Sequence, residues 1–316
     1  MKPAARPLLA CVAVAAAAVL AACGLGPGEE RAGAGVELRV TRDYGHDLLL
    51  SKGDIPIRES DTVMRLLDRN AEIETRYGGG FVQSIDGLAG HGKEGAADWF
   101  FYVNGIQSEQ GAADYELSPG DVVQWDRHGW GTTAQTRAIV GAYPQPLLDG
   151  LDGKRFPVRV ECDDAEAQVC GDVKRTLRDG GVPATGATLG APGNQNVARI
   201  VVAPWASARR LPSARFVELG PKRSGVFARF VDGGGALELL DADGEVVRTE
   251  RAGAGLLAAL RPTDTELVWL VTGTDAAGVE AAAAALRPAA LRDAFAVAVG
   301  GERIVKLPVV AGKRGP

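Results

Sequence analysis

The side chains equipped for chemistry are unevenly spread along this chain. Of 18 aromatic residues, nine fall between Tyr77 and Trp130. The densest run is Trp99-Phe100-Phe101-Tyr102-Val103-Asn104. In an extended strand Trp99, Phe101 and Val103 face one way, and Phe100, Tyr102 and Asn104 the other. Only one of those faces can be the core of a small domain. Aromatics on the opposite face must meet a ligand, a partner or a second domain, because large exposed apolar patches are uncommon on monomers. Trp99, Phe101, Tyr102, Asn104, Trp125 and Trp130 are therefore candidate ligand contacts, with Trp99, Phe101, Trp125 and Trp130 forming the aromatic surface. A second candidate lies at Val271-Thr272-Gly273-Thr274-Asp275, where an apolar strand runs into a helix. Thr272 and Thr274 would offer hydroxyls at a strand end, a common place for ligands in open α/β sheets; the structural alternative is N-capping by Thr274 or Asp275.

Catalytic patterns are missing. There is no Gly-x-Ser-x-Gly, His-Glu-x-x-His, phosphate-loop Gly-x-x-x-x-Gly-Lys-Ser/Thr or Cys-x-x-Cys. The three histidines are His46, His91 and His128, and the last two sit in Gly-rich segments without metal-ligand spacing. Asp163-Asp164 reads as first-turn helix charge rather than a glycosidase pair. Asp241-Ala242-Asp243-Gly244-Glu245 lacks a full calcium ligand set and reads as a hairpin turn. The expectation is a non-enzymatic protein with no metal and no resident cofactor.

The beginning of the chain carries an address. Lys2 and Arg6 precede an apolar run from Leu8 to Ala22, too short for a comfortable membrane span. Leu20-Ala21-Ala22-Cys23 resembles a bacterial lipobox, which implies removal of residues 1–22 and acylation of Cys23. Several acyl chains on one residue would hold the protein to the outer face of a cell membrane, at ~0.8 kcal/mol per buried methylene. With Cys11 in the leader and Cys23 the anchor, Cys162 and Cys170 remain as one pair in an oxidising space, and a disulfide is expected. Eight residues of pure helix span ~12 Å, too far for that bridge, so Cys162 should precede a helix that contains Cys170.

Composition bounds the architecture. A 316-residue chain with 46% hydrophobic residues has material for about two cores. Forty acidic against 35 basic side chains leave no global positive field, so nucleic acid is not an expected partner. Residues 23–35 read as a Gly-rich tether. Val36, Leu38 and Val40 alternate as a strand, Val63, Leu66 and Leu67 recur at helical spacing after Ser60 and Asp61, and strands follow at 81–85, 99–104 and 122–125. This makes residues 36–131 an α+β domain. Residues 132–155, with Pro144, Pro146, Gly150 and Gly153, suit a linker. Strands and helices then alternate over 156–310, including a helix over 165–178, a hairpin at Asp243-Gly244 and an Ala-rich helix over 275–286, giving a mixed α/β domain. Residues 77–131 hold eight acids against Lys93 and Arg127, whereas residues 205–230 hold six bases against Glu218. The basic segment is expected to dock on the acidic domain or to receive an anionic ligand group; the alternative is two separate solvated faces.

Three segments together carry a family resemblance: Tyr77-Gly78-Gly79-Gly80-Phe81-Val82-Gln83-Ser84-Ile85-Asp86-Gly87-Leu88, then Asp98-Trp99-Phe100-Phe101-Tyr102-Val103-Asn104-Gly105, then Tyr115-Glu116-Leu117-Ser118-Pro119-Gly120-Asp121-Val122-Val123-Gln124-Trp125. Roughly residues 36–131 resemble the DUF4430 family, a small domain similar to the C-terminal β-domain of transcobalamin and intrinsic factor. The resemblance implies a β-grasp-like fold for this domain and a corrinoid as a bound ligand. The resulting expectation is a lipid-anchored extracytoplasmic binding protein that captures a small molecule for a transporter. The alternative is a non-catalytic lipoprotein for protein or glycan adhesion.

Overall fold

The computed structural model describes residues 30–90, 97–133, 135–151, 153–301 and 303–310. The leader, Cys23, most of the tether and His91 lie outside the described residues. Strands and helices are mixed in an α+β fold carrying two large sheets and two small ones.

The first large sheet has the order β2-β1-β8-β6-β7. Its strands are β1 (Val36–Arg42), β2 (Asp47–Ile55), β6 (Ala97–Val103), β7 (Ile106–Gln107) and β8 (Val122–Gly129). Strands β1 and β8 are parallel, while β2 and β6 run antiparallel to their neighbours. One face carries Leu38, Val40, Trp99, Val103, Val123 and Trp125 onto the helix α1 (Val63–Asp68) and a small sheet of β3 (Ile73–Arg76), β4 (Phe81–Ile85) and β5 (Leu88–Ala89). Helix α1 is short because its apolar positions fill only two turns. Thr62 rather than Ser60 or Asp61 caps it, accepting from Arg65 N. Asp61 instead accepts the Arg69 guanidinium and the Arg58 N–H.

The second large sheet has the order β10-β9-β11-β16-β15-β17-β18. Its strands are β9 (Val158–Cys162), β10 (Ala184–Thr188), β11 (Val197–Pro204), β15 (Gly255–Leu260), β16 (Glu266–Gly273), β17 (Ala296–Gly300) and β18 (Arg303–Leu307). The first four in spatial order are parallel and the last three antiparallel to their neighbours. Helices α2 (Gln168–Asp179) and α3 (Ala276–Ala284) cover one face. The other packs on a third sheet of β12 (Ala228–Val231), β13 (Ala236–Leu240) and β14 (Val246–Glu250). Cys162 ends β9 and Cys170 lies in α2, bridged at a Cα separation of 6.2 Å.

The remaining face of the first sheet packs against the second half of the chain. Tyr102 and Tyr44 belong to a core shared with Phe227, Leu256 and Phe295 of the second half. Tyr102 and Phe295 meet edge to face with centroids 5.4 Å apart. Backbones approach closely here as well: a Cβ on Gly45, whose φ is +77°, would fall 1.7 Å from the Asp293 carbonyl oxygen. Residues 132–155 do not behave as a loose linker, because Ile139, Val140, Ala142, Tyr143 and Leu147 are buried. Ile139 N donates to Gly105 O and Val140 N to Phe295 O, which ties the connection to both halves.

The expected docking of the basic 205–230 segment on the acidic domain is not what joins the halves. Arg209 and Arg215 pair with Glu218, Arg210 with Asp163, and Arg229 with Glu238, all within the second half. The contact uses buried Arg39, which donates to Gly141 O at 2.9 Å and approaches Asp293 at 3.4 Å, and Arg292, which reaches Glu37 at 2.6 Å. Arg209, Arg210, Arg215 and Arg229 find acids nearer in space than the first domain.

Candidate functional site

Strand β6 sits near the edge of its sheet. Strand β7 is only two residues long and meets β6 only at Tyr102 and Val103. Residues 97–101 therefore have β8 on one side and no strand among the described residues on the other. The sharp turn into β7 is made by Asn104 and Gly105, with φ of 52° and 73°. Both lie in the left-handed region that an Asn-Gly hairpin turn requires. Asn104 is fully committed there: it donates to Asp121 Oδ1 at 2.9 Å and Gly150 O at 3.0 Å, and its Oδ1 accepts from Val122 N.

Along that edge lies a solvent-open cleft of ≈ 360 Å³. Its walls are the rings of Phe81, Trp99, Phe100, Phe101 and Trp130. Three polar side chains, Asp98, Gln107 and Ser108, complete the lining. Since successive β6 residues point to opposite faces, the cleft wraps around the strand edge and takes rings from both. Phe100 is stacked on His128 with centroids 4.4 Å apart, and Phe101 lies 5.2 Å from Trp125. Trp99 donates its indole N–H to Leu88 O at 3.1 Å, which fixes the ring against β5. Gln107 is anchored by its backbone: its N–H donates to Arg137 O, and its carbonyl accepts from Arg261 of the second half.

Of the candidate contacts, the structure brings Trp99, Phe101 and Trp130 together on this cleft and removes the others. Tyr102 is fully buried between the two halves, and burial with the Asp126 charge pushes its hydroxyl well above the ordinary range. Trp125 is 3% exposed, in the core beneath Phe101. Asn104 holds a turn. Thr272 is buried and donates to Ala203 O at 2.7 Å, and Thr274 Oγ1 donates to Arg251 O at 2.9 Å, so both serve the architecture. Asp275 caps α3, accepting from Gly278 N at 2.9 Å. His128 is buried on β8 and donates from Nδ1 to Asp126 Oδ1 at 2.8 Å.

Phe81, Asp98, Phe100, Gln107 and Ser108 were not candidates on sequence grounds. Phe81 arrives from a different sheet, and Gln107 and Ser108 from beyond the hairpin. No group of three or more His, Cys, Asp or Glu side chains suited to a metal ion occurs among the described residues. Nor is any described helix long and apolar enough to cross a membrane.

A family model described as "Domain of unknown function (DUF4430)" matches residues 60–129. The matched stretch runs from just before α1 to the end of β8, and it supplies every cleft residue except Trp130, which follows immediately. No curated protein matches the chain.

Proposed function

We propose that this is a non-catalytic binding protein of the extracytoplasmic face of the cell membrane, anchored through Cys23, that captures a small molecule in the aromatic cleft of its DUF4430 segment for delivery to a transporter. The observation that carries the reading is the cleft itself: five aromatic walls converging with three polar groups in ≈ 360 Å³. Ligand sites of ~300–1,000 Å³ with apolar walls and a few polar anchors are typical of small-molecule capture, whereas adhesion favours flat surfaces. The Leu20 to Cys23 box supports the anchor. The corrinoid implied by the family resemblance is much larger than this cleft, so it could place only a peripheral group there, and a smaller guest suits the reading better.

Native mass spectrometry of the protein purified from its own cells should show a retained small molecule, and intact mass should show acylation at Cys23. Trp130 is 38% exposed, so Trp130→Ala should release the molecule at nearly unchanged melting temperature. Undiminished retention in Trp130→Ala would place the ligand elsewhere and overturn the reading.

A further inference from the structure

Strand β10 is the outermost strand of the second large sheet, with β9 on one side and no described strand on the other. Edge strands are usually blunted by charged side chains, proline or bulges, because their unpaired N–H and C=O groups are a template for another chain. The opposite edge of the same sheet follows that rule, since β18 carries Arg303 and Lys306. Strand β2, at the edge of the first sheet, carries Lys52 and two breaks in register against β1. Strand β10 has none of these devices. Its sequence Ala184-Thr185-Gly186-Ala187-Thr188 holds no charge and no proline, and it pairs with β9 without a register shift.

A groove of ≈ 870 Å³ opens where helix α2 meets the start of this strand, lined by Lys174, Arg175, Arg178, Val182, Pro183 and Ala184 among others. No carboxylate is among its described lining residues. Arg175 is paired with Asp172 at 2.8 Å, but neither Lys174 nor Arg178 has a hydrogen bond or ion pair among the described residues. The helix dipole accounts for a base in the last turn, at Arg178, and not for half-buried Lys174 a turn further in. Lys174 lies over β10: a Cβ on Gly186 would fall 3.8 Å from its Nζ. We propose that β10 and the basic face of α2 take an extended acidic segment of a partner protein, added to the sheet as a further strand. Main-chain bonds to β10 would give affinity, and side chains reaching the groove would give specificity. The spacing fits. Acids at alternate positions of a strand share a face and stand ~6.8 Å apart, while Lys174 and Arg178 are separated by ~6 Å along the helix. None of these residues lines the aromatic cleft, so the two surfaces can be occupied together.

The test titrates the intact protein against fluorescein-labelled octapeptides of one composition and two orders, followed by fluorescence anisotropy. Thr-Glu-Thr-Glu-Thr-Glu-Thr-Glu puts every acid on one face of a strand, whereas Thr-Thr-Thr-Thr-Glu-Glu-Glu-Glu does not. The alternating peptide should bind about tenfold more tightly than the block peptide, and its Thr-Lys counterpart should not bind. Lys174→Gln combined with Arg178→Gln should cut that affinity about tenfold or more. Gly186→Asp should do the same by placing an acid beneath Lys174, and the space above Gly186 admits it without a backbone clash. Urea midpoints of both variants separate loss of binding from loss of fold. Amide hydrogen exchange should slow at residues 184–188 when the alternating peptide is bound. Equal affinity for the two glutamate peptides, or exchange unchanged in β10, would overturn the added strand and leave a groove for polyanions of any shape. Full binding by the Lys174 and Arg178 double variant, or no binding of either acidic peptide, would overturn the proposal outright.

Discussion

His128 donates to Asp126 from two residues away on the same strand, Nδ1 to Oδ1 at 2.8 Å, with both side chains buried where the two halves of the molecule meet. Asp126 also accepts from Thr41 Oγ1 at 2.6 Å, Tyr44 N at 3.1 Å and Gly45 N at 2.8 Å. The imidazole in turn lies between Phe100 and Tyr44, with centroids 4.4 and 4.5 Å away. One carboxylate thus organises the β1–β2 turn, and the ring it holds backs Phe100, a wall of the cleft. Asp126→Ala would strand three buried donors, Thr41 Oγ1 alone keeping a second acceptor in Trp125 O at 3.1 Å. It should destabilise the protein by about 3 kcal/mol or more, read as a lower urea midpoint, and should weaken ligand capture because Phe100 loses its support.

Glu161 on β9 is buried under a bidentate pair with Arg199, both bonds 2.8 Å, and a further bond from Arg159 at 2.7 Å. Burial by itself would raise the Glu161 pKa, but the Arg199 hydrogen bonds and charge, joined by Arg159 and the Gly190 N–H, hold it below the ordinary value. Asp61 is depressed in the same way, its desolvation outweighed by Arg69 and by the Arg58 N–H. In both cases the unfolded carboxyl binds a proton more readily than the folded one. Stability is therefore present above their ordinary values near pH 4 and is lost as pH falls through the folded values. Glu161→Gln should cost about 3–5 kcal/mol at neutral pH by leaving Arg199 buried without its partner, and it should flatten the acid limb of a urea-midpoint profile.

Three tyrosines act at the other end of the pH scale. Burial pushes Tyr143 up to about 12. Burial, with the Asp126 charge beside them, also raises Tyr44 and Tyr102. Each keeps its proton in the folded state after the unfolded chain has lost it, so stability should fall as pH rises above ~10 and continue falling until the folded values are reached. Phenolate absorbance followed from pH 9 to 12.5 should show these three titrating late, in step with alkaline unfolding.

Much of this fold was legible because local pattern and final environment agree. Val36, Leu38 and Val40 alternate and are buried on one face. Asp243-Gly244 turns β13 into β14, and Cys162 and Cys170 meet where a helix follows a strand. Strand β15 was not visible because Gly255–Leu260, buried throughout, has no alternation to read. The cleft was half legible. Trp99, Phe101 and Trp130 stand out by type and spacing, yet nothing local to Phe81 says that β4 will lie against β6. The Asn104-Gly105 turn signal was present in the sequence, and giving it weight would have taken Asn104 off the ligand face and put Gln107 across from Tyr102. Tyr102 itself could not be placed, since the Phe295 ring it meets lies nearly two hundred residues away in the chain.

The second half depends on how closely α3 lies on its sheet. A Cβ on Gly273 at the end of β16 would fall 2.4 Å from the Gly278 carbonyl carbon, and one on Gly278 would fall 2.2 Å from Ala254 O. Gly255 on β15 has the same clearance, with 2.4 Å to Gly278 O. All three obstacles are backbone atoms, which cannot rotate aside as a side chain tip can. Gly273→Ala must therefore push the helix off the sheet and disturb buried Val279 and Ala282. A loss of about 1–3 kcal/mol is expected, the usual range for forcing extra volume into a packed core. Gly171→Ala is the counterpart. It lies inside α2 with nothing within 4 Å of the new methyl, so it should leave stability unchanged or raise it by up to ~1 kcal/mol through helix propensity. Urea midpoints that move in opposite directions for the two variants would show that Gly273 is required by contact; a Gly273→Ala protein as stable as the parent would show that α3 has room to move.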